Sequence, residues 1–352
     1  MQPNGLYIHV PFCVRKCSYC DFYSVTDLSL TDLYTAAVVR NITAADGYFD
    51  TVYFGGGTPS LLTANQICTI LSAANIAPNP EISMECNPNS VTPDYLRDIR
   101  SVGVNRLSFG VQSFSSNELK MLGRLHNAEQ AVSAILAAEK AGFCNISADL
   151  MLAISGQTFD SLRYNLDMIS RLPLTHVSAY MLKVEEGTPL ASDRDLLEKI
   201  PDEDDTAEMY LEAVHKLEES GFMQYEISNF AKSGYECRHN LKYWRCEEYL
   251  GIGPAAHSYI KPHRYFCPKS IEDFIAAPVQ DKIVTDEGGS MEERAMLALR
   301  LTREGISVNE YPQTERYADM LIKSGYVKKE QDRLKLTPEG CLVSNEIISR
   351  LI

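Results

Sequence analysis

Short apolar segments alternate with longer amphipathic segments through the first 230 residues, and this alternation constrains the fold most strongly. The predicted strands are Leu6–Val10, Thr51–Phe54, Glu81–Glu85, Arg106–Val111, Asn145–Leu152 and His176–Leu182. The predicted helices are Thr31–Ala44, Ala64–Ala74, Pro93–Arg100, Ala128–Ala141 and Phe159–Arg171. Strands that alternate with helices form parallel sheets with right-handed crossovers. Six such units are too few for a closed eightfold barrel, so we expect an α/β fold built on an open, partial (β/α)6 TIM-like barrel.

The pattern changes near residue 290. Met291–Arg303 and Gln313–Ser324 are predicted helices, Tyr326–Leu336 is a predicted two-stranded hairpin, and Thr337–Ile352 is a predicted closing helix with Thr337 as its N-cap. Helices followed by a hairpin are typical of a small winged-helix-like α+β domain. Because its helices carry many glutamates, we expect this domain to serve packing or docking rather than DNA binding.

A further apolar run, Tyr225–Phe230, follows an acidic helix predicted at Asp202–Ser220. We therefore divide the chain into a partial barrel (residues 1–232), a connecting segment (233–289) and a C-terminal domain (290–352).

Composition excludes several classes of protein. The 352 residues include 33 basic and 47 acidic side chains, which gives a net charge of −14, and no Lys/Arg block marks a nucleic-acid-binding face. No apolar run reaches the roughly 20 residues that span a bilayer, and no signal peptide precedes Cys13, so we expect a soluble cytoplasmic protein. Ten cysteines in a chain of this length do not indicate a disulfide scaffold.

Three cysteines follow the first predicted strand with the spacing C-x3-C-x2-C: Cys13, Cys17 and Cys20. Thiolates are soft ligands that suit zinc or iron–sulfur clusters. Structural zinc normally has four protein ligands, and the nearest fourth candidate, His9, lies inside a strand. Three thiolates can hold a four-iron cluster with one iron free for a small ligand. The spacing therefore favours a [4Fe-4S] cluster, with zinc as the alternative.

Polar groups recur where the other predicted strands end. They are the run Gly55-Gly56-Gly57-Thr58-Pro59, then Glu85, Gln112 and Asp149. In barrels of parallel strands the chemistry lies in the loops at these ends. We expect the polar groups and the three cysteines to form one site.

Four segments resemble the radical S-adenosylmethionine superfamily, specifically its coproporphyrinogen oxidase-related branch of porphyrin metabolism. They are LYIHVPFCVRKCSYCDFYS, YFGGGTPSLL, RLSFGVQSF and DLMLAISGQT, and the resemblance covers nearly the whole chain. It implies a [4Fe-4S] cluster on Cys13, Cys17 and Cys20, whose open iron chelates S-adenosylmethionine. The residues that match the adenosylmethionine contacts are Tyr7, Tyr19, Gly56, Gly57, Thr58, Glu85, Gln112, Arg124 and Asp149.

The chemistry of these side chains suits that ligand. Glu85 and the glycine run would bind its ammonium group, Arg124 its carboxylate and Asp149 its ribose hydroxyls. The chain departs from the family at Ala153-Ile154-Ser155-Gly156, where relatives usually carry glycine and proline. We expect the altered turn to shift Asp149 slightly.

Two features separate this chain from the oxidases of the branch. The oxidases carry a further cysteine where this chain has Phe22, and a substantial N-terminal extension, whereas Cys13 lies near the start here. Instead, the HNLKYW segment (residues 239–244) resembles the signature of the haem chaperones of the branch. By that resemblance His239 is the axial ligand of haem iron, and Tyr243 and Trp244 pack against the macrocycle.

Other interpretations of this segment stay open. His239-Asn240 could instead form a turn, with the aromatic residues in the core where the partial barrel is closed off, and Cys237, Cys246 or His257 could also reach iron.

Three functions are therefore compatible with the cysteine motif. The first is a haem chaperone that passes haem to recipient proteins. The alternative is an oxygen-independent coproporphyrinogen III oxidase, which would decarboxylate porphyrinogen propionates through a radical. A radical RNA-modifying enzyme shares the cysteine spacing, but the acidic charge opposes it. No catalytic residue is assigned, and the chain is an enzyme only on the second and third interpretations. The open barrel allows a homodimer.

Overall fold

Six parallel strands form the centre of the fold in the computed structural model, which describes residues 4–351 apart from the side chains of residues 313 and 315. They are β1 (Asn4–Val10), β2 (Tyr48–Gly56), β3 (Asn75–Cys86), β4 (Arg106–Gln112), β5 (Ile146–Leu152) and β6 (His176–Met181). Each strand pairs in parallel with the next along the chain. The predicted partial barrel of six parallel strands is confirmed.

Helices connect these strands in the predicted order. They are α1 (Thr31–Ala45), α2 (Ala64–Ala73), α3 (Pro93–Ser101), α4 (Ser116–Met121), α5 (Ala128–Lys140) and α6 (Phe159–Ser170). Side chains fix several of the starts: Thr63 and Asn127 each accept the N–H of a glutamine three residues later, which accepts the cap's own N–H in return. Among the described residues, no helix is long and apolar enough to cross a membrane.

The two faces of the barrel differ in polarity because side chains alternate along each strand. Leu6 and Ile8 of β1 are fully buried in an apolar core that also includes helix residues such as Ile67. The other face carries polar groups such as Ser108 and Asp149, which line an internal cavity. The barrel therefore has an apolar exterior covered by helices and a polar interior.

After β6 come α7 (Arg194–Leu197), α8 (Glu203–Glu219), β7 (Met223–Gln224) and β8 (Asn229–Ala231), of which α8 is the predicted acidic helix. Asp202 caps α8 by accepting the N–H of Asp205. β8 pairs antiparallel with β6, so the run Tyr225–Phe230 does not add a seventh parallel strand.

The connecting segment adds four strands to the opposite edge of the sheet. It comprises α9 (Arg238–Trp244), β9 (Tyr249–Ile252), β10 (His257–Ile260), β11 (His263–Phe266), α10 (Ile271–Ala276) and β12 (Ile283–Glu287). β9 pairs in parallel with β1, and the remaining three strands follow outward, antiparallel. Together these strands and those of the barrel form a sheet of twelve.

The C-terminal part contains α11 (Met291–Leu299), β13 (Ile306–Ser307), α12 (Glu315–Lys323), β14 (Val327–Glu330), β15 (Arg333–Leu336), α13 (Pro338–Leu342) and α14 (Ser344–Leu351). The hairpin predicted at Tyr326–Leu336 is present as β14 and β15, which β13 extends to three strands. The predicted closing helix is split, because Val343 leaves the helical conformation with φ −113° and ψ 24°. Ile352 lies outside the described residues.

Candidate cofactor site

The three-cysteine motif lies on the loop that follows β1. Cys13, Cys17 and Cys20 are half-buried and none forms a disulfide. The loop closes on itself, because the Cys13 N–H donates to the Val25 carbonyl at 2.9 Å and the Val25 N–H donates to the Pro11 carbonyl at 2.6 Å. All three thiols line one cavity of about 400 Å³. Three free thiols around one cavity are a soft donor set that fits an iron–sulfur cluster.

His9, the candidate for a fourth zinc ligand, is engaged elsewhere. Its Nδ1 lies 3.1 Å from the Tyr7 hydroxyl and its Nε2 donates to the Tyr23 carbonyl at 3.1 Å. Burial lowers the pKa of His9, so the ring is neutral and joins β1 to the cysteine loop. Within the part of the chain that the structure describes, no three His, Cys, Asp or Glu side chains converge where a single metal ion could be held.

The glycines at the end of β2 allow the chain to pass directly against the cysteine loop. Gly56 has φ +108°, and a Cβ there would lie 2.7 Å from Cε1 of His9. A Cβ on Gly57 would lie 2.6 Å from the carbonyl oxygen of Phe12. A larger residue at Gly57 would displace the start of the cysteine loop, and one at Gly56 would displace the His9 ring, which bonds the Tyr23 carbonyl of that loop.

Arg124 lies between the thiols and the ends of the strands. Its Nη1 is 3.5 Å from the Cys17 Sγ, and its Nη2 donates to the Asn87 Oδ1 and the Gly110 carbonyl, both at 2.6 Å. Burial would lower the pKa of Arg124, but the neighbouring Tyr19 and Cys17 raise it. The guanidinium therefore places its charge beside the Cys17 sulfur atom in the cavity wall, and Arg124 is not simply a surface arginine.

Two carboxylates face the same cavity from β3 and β5, the strands on either side of β4. Glu85 accepts the Tyr53 hydroxyl at 3.0 Å and the Gly56 N–H at 3.1 Å, and Asp149 accepts the Ser108 hydroxyl at 3.0 Å. Burial, followed by the charge of Asp149, raises the pKa of Glu85 to about 7. Burial also raises the pKa of Asp149. A cationic ligand in the cavity would favour the ionised form of both groups.

The raised pKa of Glu85 predicts a pH-dependent stability of the ligand-free protein. Between its ordinary pKa of 4.5 and the folded value of about 7, the carboxyl ionises in the unfolded chain but not in the folded one. Stability is therefore lost as the pH rises through this window, by at most about 3 kcal/mol. Urea denaturation should show Glu85→Gln equal to wild type below pH 4.5 and more stable above pH 7. A constant difference across the range would contradict this account.

Eight of the nine predicted adenosylmethionine contacts line the cavity: Tyr19, Gly56, Gly57, Thr58, Glu85, Gln112, Arg124 and Asp149. Tyr7 instead stacks with Tyr53 and His239, at ring-centroid distances of 6.2 and 6.4 Å. The assignment of these residues to adenosylmethionine stays a prediction.

The altered turn after β5 leaves Asp149 facing the cavity. Ala153 has φ +56°, a left-handed conformation that costs a non-glycine residue about 1–2 kcal/mol. Asp149 nevertheless lines the cavity and keeps its bond to Ser108. The departure from the family's glycine and proline therefore places backbone strain at Ala153, while Asp149 still faces the cavity.

His239 lies inside the barrel, beneath the cavity. It is fully buried, its Nδ1 lies 2.8 Å from the Thr51 hydroxyl, and its Nε2 lies 2.8 Å from the Tyr243 hydroxyl. Burial, then the positive charges of Lys242 and Arg106, lowers the pKa of His239 to about 3. The imidazole is neutral and both of its nitrogens are engaged, so this arrangement offers no free nitrogen to iron.

The other predicted haem contacts, Tyr243 and Trp244, lie in different surroundings. Tyr243 is partly buried, with its ring edge-on to His239, and the Trp244 ring packs under the Arg300 guanidinium at 4.9 Å. Of the alternative iron ligands, Cys237 and Cys246 are buried, whereas His257 is exposed on β10. Of these groups, Tyr243 contacts His239 directly, whereas Trp244 packs on Arg300 and His257 is exposed.

Sequence reasoning missed several residues of the cavity: Tyr53, Arg106, Ser178, Tyr180 and Asn240. The first four lie on barrel strands, and strand alternation could have identified Arg106, which precedes Ser108 by two residues. Asn240 enters from α9, so no local pattern could have placed it there. Phe22, at the position of the oxidases' further cysteine, lines the cavity and is 60% exposed.

An open barrel of parallel strands with three cysteines after its first strand defines a class of protein. The family model of the Radical SAM superfamily matches residues 7–169. The structure is similar to that of coproporphyrinogen III oxidase (HemN) from Escherichia coli, described as a radical SAM enzyme, with a TM-score of 0.83 over 99% of this chain and 90% of the other. At 20% identity this likeness supports the fold.

Curated relatives match along the whole chain. The heme chaperone HemW of Mycobacterium tuberculosis is 34% identical over 372 aligned residues, which cover 100% of this chain and 95% of the relative. The heme chaperone HemW of Bacillus subtilis is 33% identical, with 99% of both chains covered. The chain therefore belongs to the HemW family of the radical SAM superfamily.

Proposed function

We propose that this protein holds a [4Fe-4S] cluster on Cys13, Cys17 and Cys20 and binds S-adenosylmethionine in the adjoining cavity. Three free thiols, the Arg124 guanidinium beside Cys17 and the Glu85 carboxylate support the proposal. When bound, such a cluster supplies an open iron that holds the amino and carboxylate groups of adenosylmethionine. The chain contributes the walls, a cationic donor and two carboxylates for the rest of the ligand.

We further propose that the protein binds haem and delivers it to recipient proteins. The observation that carries this proposal is the full-length similarity to relatives that bear the name heme chaperone. The exposed Phe22 at the cavity is a second support, because it stands where the oxidases carry a further cysteine.

Turnover of coproporphyrinogen III tests the alternative, an oxidase. The cluster-reconstituted protein, reduced and supplied with adenosylmethionine under anaerobic conditions, is expected to yield no protoporphyrinogen IX. Accumulation of that product over many turnovers would support the oxidase and contradict the chaperone proposal.

His239 remains the proposed axial ligand, on the condition that its ring gives up a hydrogen bond. Iron can bind Nε2 only if the Tyr243 hydroxyl releases it, and because both residues lie on α9, this requires the Tyr243 side chain to turn away from His239. His239→Ala is therefore expected to weaken haem binding at least tenfold, as measured by visible titration.

The Tyr243→Phe variant shows whether His239 binds iron or has only a structural role. It keeps the aromatic ring but removes the hydroxyl that engages Nε2. If the imidazole binds iron, this variant should bind haem more tightly than wild type, because a competing hydrogen bond of about 1 kcal/mol is gone. An unchanged haem spectrum and affinity in both variants would assign the axial ligand to another residue.

A further inference from the structure

Arg106 faces the cavity with a buried charge, and within the described residues its side chain forms no hydrogen bond. The side chain is only 2% exposed, yet it lines the cavity. Among the described residues, its Nε has no hydrogen-bond partner. A buried arginine normally has its donors engaged, because leaving one unsatisfied costs free energy.

The nearest acidic side chain does not satisfy this arginine. Glu81 and Cys237 attract the guanidinium electrostatically, but no hydrogen bond joins Glu81 to Arg106. The Glu81 carboxylate is engaged with the start of α9, where it accepts the N–H groups of Arg238 and His239 at 3.1 and 3.0 Å. Glu81 therefore compensates the charge of Arg106 but leaves the N–H donors of the Arg106 guanidinium available.

A second unpartnered group lies beside the first. Ser83 is the register partner of Arg106 across β3 and β4, and neighbouring strands are about 4.8 Å apart. The Ser83 hydroxyl is also buried and, within the described residues, has no hydrogen-bond partner. Arg106 lines the cavity and Ser83 lies beside it on the neighbouring strand, so these two adjacent unpartnered groups point to a polar ligand group that binds there.

Arg106 lies deeper in the cavity than the predicted adenosylmethionine contacts. It precedes Ser108, which bonds Asp149, by two residues, and this spacing corresponds to about 6–7 Å along the strand. Asn240 lines the same cavity from α9. Arg15 and Arg124 also line the cavity: Arg15 donates to the Gly123 carbonyl, and the two Nη groups of Arg124 contact Asn87, Gly110 and Cys17, although its Nε, like that of Arg106, has no partner among the described residues. Within the described residues, Arg106 is therefore a cavity-lining guanidinium whose side chain forms no hydrogen bond, and it lies at the inner end of the cavity.

We infer that Arg106 and Ser83 form a carboxylate-binding subsite that holds one propionate of a tetrapyrrole ligand. The guanidinium fork matches a carboxylate in two parallel hydrogen bonds. A cavity of about 400 Å³ that also holds adenosylmethionine has room for a propionate side chain but not for the tetrapyrrole ring. The inference rests on the proposed function, since it assumes that haem or a related tetrapyrrole is the ligand.

Esterified ligands test the subsite. Iron mesoporphyrin IX and its dimethyl ester are titrated, in the same detergent, into cluster-reconstituted protein. Wild type is expected to bind the diacid at least tenfold more tightly than the diester, and Arg106→Gln is expected to lose most of this preference without weakening diester binding. Arg171→Gln, an exposed arginine outside the barrel, is the matched control and should retain the full preference.

Each other outcome overturns a specific step. Equal binding of diacid and diester by wild type would refute the subsite while leaving haem binding intact. An unchanged preference for the diacid in Arg106→Gln would show that Arg106 is not part of the subsite. Loss of adenosylmethionine binding in Arg106→Gln, with the porphyrin preference kept, would assign the arginine to the carboxylate of adenosylmethionine. Binding of neither porphyrin by wild type would refute the proposed function itself.

The Arg106→Lys variant keeps the subsite testable if the glutamine variant does not fold. Lysine keeps the buried charge opposite Glu81 but offers a point charge instead of a fork. Far-ultraviolet circular dichroism and iron content establish that each variant is folded and loaded. We expect Arg106→Lys to keep part of the diacid preference, between wild type and glutamine; a preference equal to that of wild type would contradict bidentate recognition.

Discussion

Cys17→Ala is expected to abolish the iron–sulfur cluster. Cys17 is one of three thiols that line the cavity, and its sulfur atom lies 3.5 Å from the Arg124 guanidinium. Two thiolates cannot hold a four-iron cluster that already has one iron without a protein ligand. Anaerobic reconstitution followed by iron and sulfide analysis should give less than a tenth of the wild-type content, with loss of the brown visible absorbance.

Cys144→Ala is the matched control for this prediction. Cys144 is exposed on the turn before β5 and lies away from the cavity lining. Its removal should leave iron, sulfide and absorbance at wild-type values. Retention of full iron and sulfide in Cys17→Ala would contradict the cluster assignment.

Glu81→Ala is expected to destabilise the fold by about 3–5 kcal/mol. Glu81 is 6% exposed and accepts both N–H groups at the start of α9 while it compensates the charge of Arg106. Its removal leaves two backbone donors unsatisfied and a buried arginine uncompensated. Urea denaturation of the ligand-free protein should show the loss as a lower midpoint.

Two variants make this result interpretable. Glu81→Gln keeps an acceptor oxygen but not the charge, so its loss should fall between those of wild type and alanine. Glu139→Ala, at an exposed position of α5, should change stability by no more than about 0.5 kcal/mol. A cost below about 1 kcal/mol for Glu81→Ala would mean that Glu81 does not anchor α9.

The barrel could be predicted from the sequence because two independent signals coincide in it. β1 and β4 are short apolar runs rich in branched and aromatic residues, and capped amphipathic helices such as α5 separate the strands. The convergence of Glu85, Gln112 and Asp149 on the cysteine loop follows from the same pattern, since parallel strands end at one edge.

The outer strands could not be predicted because each has few residues of its own. β9, β10 and β11 have four residues each, and only pairing across the sheet defines them. β8 turns antiparallel to β6, a choice that depends on tertiary contacts. Short strands of this kind carry too little periodicity to be recognised locally.

The placement of α9 also depends on tertiary structure. The HNLKYW segment forms a short helix whose first turn is held by Glu81, a residue more than 150 positions away along the chain. This contact draws His239 into the barrel and turns Asn240 to the cavity. The segment that the resemblance assigns to haem therefore forms, in this structure, a short helix that reaches into the barrel.

An anaerobic haem titration of the cluster-reconstituted protein, followed by visible spectroscopy, tests the central proposal most directly. The chaperone proposal predicts a saturable spectral change at one haem per chain, and transfer of that haem to an added apo-haem protein with recovery of the haem-free spectrum. A linear, non-saturating change equal to that of haem in buffer would contradict it, and would leave a radical SAM protein whose ligand is not haem.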